Sequence, residues 1–434
     1  MYTSFFRKAM LGDTATLNLD FTTGTLDSRL TFTRASTATY INSSGYIASM
    51  GAAVTNDPTK ARFDYDPATL APRGLLIEGS AINYMLYSVA LDPHTLRRMR
   101  AISTASITDP EGTTDKARIV AADGTAGYHG RYQTITAGTN TTVTISIFAK
   151  KNGYKYLNLS DLNINTASVQ FDLDNGSTSN SLGSGLVSAS ATAYPNGWWR
   201  CSMVVNVTAS TSYSWLYVGV RDGATTSAGL GVFYTGEDLD DKGIYCYGFQ
   251  VEGGAGASSY IPTVASQVTR NVEECRMTGT NFSSWFAGAT EGVFFAEYEK
   301  PRNLKTQDHV AISTVYAAGA LLNITTNNTT LWPSSICWPT GGAVFPGGIT
   351  TACPANTKRA IRWFNGNDFT NFADGVIGTI SNGTGTLTMT MLNVGATTNT
   401  GTSSTADWIN SCIKRIKFYP TALTNAEIQT LTAP

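Results

Sequence analysis

Apolar positions along this chain recur mostly at period two and in short runs, the pattern of strands with one face on a core. TVTISIFAKK, KYLNLSDL, SVQFDL, WWRCSMVVNV, SYSWLYVGV and GIYCYGFQVEG follow one another between about residues 81 and 265. The turns between them carry Asn175-Gly176 and Asn196-Gly197, pairs that accept the positive φ of tight hairpins. This stretch predicts a two-sheet jelly roll. WLYVGV, denser in apolar residues, is expected at its centre. A second series, EGVFFAEYE, HVAISTVY, LLNITT, RAIRWFNG, FTNFADGVIG, TLTMTMLNVG and CIKRIKFYP, predicts another sandwich over 281–434, with hairpin turns at Asn365-Gly366 and Asp374-Gly375. Residues 266–280 read as a polar linker. Residues 1–80 alternate only in pieces, LNLDF and RLTFTR, before the buried strand candidate GLLIEG, and predict an irregular N-terminal region that needs a partner surface. One short helix is expected at the end, where Thr424 caps TNAEIQTL and Glu427 completes a capping box. The fold class is therefore all-β, with tandem antiparallel sandwiches.

Composition narrows the function classes. The 434 residues suit about three domains, and only 14% are charged, below the ~25% usual for soluble domains. A net charge of -1 provides no field to recruit nucleic acid. The local basic group Arg97, Arg98 and Arg100 reads as a solvated or subunit-contacting turn, with an anion site as the alternative. No apolar run approaches the ~18 residues of a membrane span, and MYTSFFRKAML, interrupted by Arg7 and Lys8, does not read as a secretory signal. Assembly in a cytoplasm is the expectation. The six cysteines contain no CxxC pair and read as buried thiols, a Cys337–Cys353 bridge remaining open.

LTFTRASTATYINSSGYI followed by ARFDYDPATLAPRGLLIEGSAINY, residues 30–84, resembles a RAST-type signature found near the start of bacteriophage tail and head-appendage proteins. GTTDKARIVA, TVTISIFAKK, NGWWRCSMVV and FQVEGGAGASSYIPTVASQVTRN are similar to the carbohydrate-binding jelly rolls that follow that signature. TKRAIRWFNGNDFTNFADG and IKRIKFYPTALTNAEIQTL resemble laminin-G-like, concanavalin A-type sandwiches. These resemblances imply a virion protein, on tail or capsid, whose residues 1–80 attach to other phage proteins while the sandwiches face outward. Asp109, Glu111 and Asp115 fall where such jelly rolls sometimes carry a structural calcium, whose oxygen chemistry they suit; the leading expectation is no cofactor, with that calcium as the alternative.

Candidate chemistry is sparse. Three histidines (His94, His129, His309) and the absence of HExxH, G-x-S-x-G and GxxxxGK[ST] argue against zinc, serine or nucleotide chemistry. A depolymerase needs two carboxylates across one groove, and E-x-D-x-x-E is absent; Glu297 and Glu299 come nearest and read as a solvated strand face. Glu237, Asp238, Asp240 and Asp241 match no EF-hand pattern and read as an exposed turn. No catalytic residue is assigned. Sugars offer C–H faces to aromatic rings, which makes Tyr128, His129, Arg131, Tyr154, Tyr156, Trp332 and Trp338 the candidate glycan residues. The competing reading, rings filling an interior or a subunit contact, stays open for the tyrosines, His129 and the loop tryptophans, and is the expectation for Trp198, Trp199 and Trp215. The leading expectation is a phage appendage, a homotrimer, that binds host-surface polysaccharide and gains strength from multivalency. A capsid or tail decoration protein without a glycan receptor is the second reading, and a polysaccharide depolymerase the third.

Overall fold

The computed structural model describes residues 14–434 except 98, 100–102, 105, 137–138, 162–166, 209–211, 221–224, 228–230, 236–241, 301–308, 316–320, 327–332, 338–348, 350–353, 365–367, 383–388, 397–407 and 422. The fold is all-β, built from antiparallel sheets with two α-helices among the described residues.

The jelly-roll region consists of two facing sheets. One runs in the order Leu186–Tyr194, Trp198–Asn206, Thr142–Asn152, Gly243–Gly253, Arg118–Val120, Ser103–Thr104. The other runs Thr178–Leu182, Ser168–Asp172, Tyr156–Asp161, Ser212–Val220, Ala126–Thr136, Gly231–Thr235, Thr225–Ser227, with Thr95–Arg97 added alongside Ala126–Thr136. The alternation explains the core: Val143, Ile145 and Ile147 from one sheet meet Leu157, Leu159, Val169, Phe171, Trp215 and Tyr217 from the other. Trp198 and Trp215 are buried as expected, and the Ser212–Val220 strand lies inside its sheet. Asn196 and Gly197 take φ of 60° and 76°, and Asp374 and Gly375 take 50° and 81°, each pair turning a hairpin as its sequence demands.

The N-terminal segment departs from the expectation of a separate region. Leu17–Asp20 and Pro72–Ile77 both pair with Ser411–Tyr419, and Arg62–Tyr65 pairs with Pro72–Ile77, so three N-terminal strands belong to a sheet continued by Gly292–Glu299, Asn356–Phe364, Asp368–Ala373 and Val376–Asn382. Thr31–Thr33 joins the facing sheet through Glu274–Thr278. Leu17, Leu19, Phe21, Leu30, Phe32, Leu75 and Ile77 share one core with Phe294, Trp363 and Phe418. The last sandwich is thus discontinuous in sequence, and the jelly roll is inserted into it. Gly74 shows how close this joint is: with φ at +97°, an added Cβ would stand 2.2 Å from the Ile413 carbonyl oxygen, and only glycine fits.

Residues 266–280, expected as a linker, are structured. Val268–Arg270 pairs with Ala81–Asn83 to form a two-stranded neck, and Glu274–Thr278 enters the last sandwich with Cys275 and Met277 inward. A helix missed in the sequence, Gly279–Phe286, buries Phe282, Trp285 and Phe286 at i, i+3, i+4 spacing, with Trp285 edge-on to Phe418 at 5.2 Å between centroids. The C-terminal helix Asn425–Thr432 carries the expected capping box: Thr424 accepts from the Glu427 amide, and Glu427 accepts from the Thr424 amide.

The hairpin of Ala38–Ile41 and Ile47–Met50, inside the segment expected to attach elsewhere, lies on the outer face of the jelly roll. Ile41 and Ile47 pack with Phe148, Trp198, Tyr247 and Tyr260, and the Ile47 amide donates to the Pro110 carbonyl at 2.8 Å. Within residues 30–84, Ile41, Ile47, Leu75, Leu76 and Ile77 are buried in the molecule, whereas Val54 and Leu70 are exposed.

Candidate functional site

The expected glycan residues separate into three groups. His129, Arg131 and Tyr154 are 0%, 2% and 2% exposed, inside the jelly roll, and offer no surface to a sugar. His129 lies against the Tyr234 ring at 4.4 Å, with Nε2 3.5 Å from Asp123. Arg131 turns inward and donates through Nη2 to the carbonyls of Asp92 at 2.9 Å and His94 at 3.0 Å. The reason is strand parity: positions 129, 131, 133 and 135 share the face on which Ile135 enters the core. Tyr128 and Tyr156 are half-buried and remain at the surface. Trp332 and Trp338 lie outside the described residues, as do Glu237, Asp238, Asp240, Asp241, Arg98, Arg100 and Cys353. Cys201, Cys246, Cys275 and Cys412 are buried free thiols.

The calcium candidates do not converge. Asp109, fully buried, accepts the amides of Glu111 at 2.8 Å and Thr113 at 3.1 Å and the Thr113 hydroxyl at 2.5 Å, which occupies both its oxygens within the turn. The Glu111 carboxylate is taken by Lys116 and the Tyr247 hydroxyl, and Asp115 is exposed. No group of three or more metal-ligating side chains occurs among the described residues. Glu297 and Glu299, expected on a solvated face, are instead ion-paired: Glu297 with Arg415 at 3.1 Å, and Glu299 with Arg73, whose Nε lies 2.8 Å from it. Arg415 on the adjacent strand and Arg73 on the strand beyond it reach the two carboxylates, pairings that strand alternation alone cannot reveal.

What the fold does assemble is a polar face. On the Tyr156–Asp161 and Ser168–Asp172 strands, Leu157, Leu159, Val169 and Phe171 face the core, so Tyr156, Asn158, Ser160, Ser168, Gln170 and Asp172 occupy the opposite side. The register sets Ser160 opposite Ser168, Asn158 opposite Gln170 and Tyr156 opposite Asp172. Across Ser212–Val220, the residue facing Ser160 also faces Tyr132, which puts Tyr132 at the end of that row; Tyr128 is four residues earlier on the same face. Tyr128, Tyr132 and Tyr156 are half-buried, the last two packed against the jelly-roll core, and Asn158, Ser160 and Ser168 are wholly buried. Asn158 Nδ2 donates to Ser168 Oγ at 3.2 Å, and Gln170 Oε1 accepts from Asn180 at 2.8 Å. Asn158 Oδ1 and Ser160 Oγ have no hydrogen-bond partner among the described residues. Lys155 stands over the Tyr156 ring at 5.1 Å and bonds Asp172 at 3.0 Å. Sequence reading passed over Asn158, Ser160, Ser168 and Gln170; the available signal was the polar set at every second position of YLNLSD and SVQFD.

Behind this sheet, His94 is neutral by construction. Its Nε2 donates to the Leu86 carbonyl at 2.9 Å and its Nδ1 accepts from the Tyr217 hydroxyl at 3.1 Å. Burial lowers its pKa to about 4 from 6.5, with Arg131 pushing the same way. A histidine whose folded pKa is depressed takes up its proton more readily unfolded, so its stabilising contribution is whole at neutral pH and drains as pH falls from 6.5 towards about 4. The loss amounts to roughly 3 kcal/mol by the bottom of that window. His129, lowered first by burial, adds in the same direction. Urea midpoints at pH 7, 5 and 4 should fall more steeply for the native chain than for His94→Gln; parallel slopes would remove His94 from this account.

No family model matches the chain, and no curated protein matches it. Among solved structures it is similar to the mouse laminin alpha1 chain, domains LG4-5, at 8% identity over 84% of this chain and 93% of that one, with a TM-score of 0.24. It is also similar to a mutant form of HCR/D at 7% identity over 92% of this chain and 96% of that one, with a TM-score of 0.11. Likeness at that level assigns no family, and the all-β fold rests on the antiparallel pairing of the chain's own strands.

Proposed function

We propose that the chain is a non-catalytic surface protein of a bacteriophage particle that holds host-surface glycans on the polar face of the jelly roll. The observation that carries this reading is the register that brings the half-buried rings Tyr132 and Tyr156, the latter opposite Asp172, to two strands of one sheet that both pair with Ser212–Val220. The half-buried rings of Tyr128, Tyr132 and Tyr156 would stack on sugar C–H faces, while Asn158, Ser160 and Ser168, wholly buried, serve only to hold the strands that carry those rings. The resemblance of residues 30–84 to phage appendage proteins supplies the particle, and several copies per particle would raise weak single-site affinity by effective concentration.

Titration calorimetry with host capsule and lipopolysaccharide tests the reading. Tyr156→Ala and Tyr132→Ala are each expected to weaken binding on the order of tenfold, the worth of one ring contact, while His129→Ala and Tyr154→Ala act on stability alone. Native protein that ignores every host polysaccharide yet binds bare particles would replace the glycan reading with the decoration reading. Release of reducing ends from the polysaccharide would replace both with a depolymerase. Labelled virions viewed by electron cryo-microscopy separate tail from capsid.

A further inference from the structure

Five charged side chains meet in the interior at the neck. Glu273 Oε1 accepts from Arg34 Nη1 at 2.7 Å and from Arg62 Nε at 2.8 Å, while its Oε2 accepts from Arg62 Nη2 at 2.5 Å and from the Glu78 amide at 3.0 Å. Glu78 Oε2 accepts from Arg62 Nη2 at 2.8 Å and pairs with Arg270 Nη1 at 2.9 Å. Ser259 adds its amide at 2.9 Å and its hydroxyl at 2.6 Å to the Glu78 carboxylate, and Arg270 Nη2 donates to the Gly79 carbonyl at 2.7 Å. All five side chains are 0–2% exposed.

Their distribution along the chain is what matters. Arg34, Arg62 and Glu78 precede the strands of the inserted jelly roll; Ser259, Arg270 and Glu273 follow Gly243–Gly253, the last of those strands. Apart from Arg62 with Glu78, every ion pair joins the incoming segment to the outgoing one. Either half alone would leave buried ions uncompensated at several kcal/mol each. Burial by itself would raise the Glu78 pKa, and Arg270 and Arg62 reverse this, holding the carboxyl far below its usual range. A purely apolar neck would also exclude water, but the forked guanidinium pairs accept only one relative placement of the two segments.

We propose that Arg34, Arg62, Glu78, Arg270 and Glu273 form a latch that makes the inserted jelly roll and the discontinuous sandwich unfold and move as one body. The outer sandwich closes its half of the cluster only after the jelly roll has folded and returned Ser259, Arg270 and Glu273 to the neck. Load on the jelly roll is then carried into the outer sandwich rather than absorbed at a hinge.

Calorimetry of the full chain tests this, using Glu78→Gln together with Arg270→Gln, which removes one cross pair without changing the cluster's net charge. The native chain is expected to unfold in one transition, and the double variant in two, one of them retaining the native midpoint. Two transitions in the native chain, or one transition shifted as a whole in the variant, would overturn the latch. Should the variant fail to fold, hydrogen exchange on the native chain decides. Amides of Ala81–Asn83, Thr142–Asn152 and Gly292–Glu299 are expected to share one opening constant within about tenfold. Neck amides opening a hundredfold more readily than both cores would overturn it.

Discussion

Glu273→Ala should remove 3–5 kcal/mol of stability or more, the usual consequence of stripping one partner from a buried ion pair. Glu273 carries Arg34 and Arg62 together, and neither guanidinium can reach solvent once the carboxylate is gone. Against a total of about 5–15 kcal/mol for a folded protein, that loss is a large fraction. Urea unfolding monitored by tryptophan fluorescence provides the number, or accumulation of the variant as insoluble chain replaces it. Glu299→Ala is the control: its partner Arg73 is partly exposed, and the loss there should stay within about 1 kcal/mol. Equal effects of the two substitutions would mean that burial of the cluster counts for nothing.

A chain lacking residues 1–77 should fail to form the last sandwich, whereas a separable attachment region would leave it intact. The deletion removes Leu17, Leu19, Phe21, Leu30, Phe32, Leu75 and Ile77 from the core around Phe294, Trp363 and Phe418. At about 1.5–3 kcal/mol for each buried side chain, the seven together match or exceed the stability of about 5–15 kcal/mol of an ordinary domain. It also strips Ser411–Tyr419 of the strands along one edge, exposing unpaired backbone. Circular dichroism and the dispersion of amide resonances of the truncated chain would report the outcome. A well-folded 78–434 fragment would show that the N-terminal strands decorate the sandwich without building it.

Much of the local structure was legible. Asn-Gly and Asp-Gly pairs turn hairpins because positive φ is a property of two residues, and Thr424 with Glu427 caps a helix because the motif closes on itself within one turn. The Gly279–Phe286 helix was hidden by its brevity and polar neighbours, although Phe282, Trp285 and Phe286 stand at helical spacing. The candidate site was half legible. Aromatic content pointed to Tyr128 and Tyr156, but a count of rings cannot say which parity of a strand faces out, and His129, Arg131 and Tyr154 went inward.

By itself, then, the sequence determined what acts over a few residues: strand alternation, turn chemistry, the capping box and the all-β class that follows from them. Tertiary structure alone decided which strands are neighbours. Leu17 meets Phe418 and Arg34 meets Glu273 across hundreds of residues, and nothing in the local pattern of LNLDF or LTFTR names those partners. Single charges within apolar runs, such as Arg62 in ARFDY and Glu78 in LLIEG, announced only that something must neutralise them once buried. Which charge did so depended on the return of the chain after the whole jelly roll had intervened.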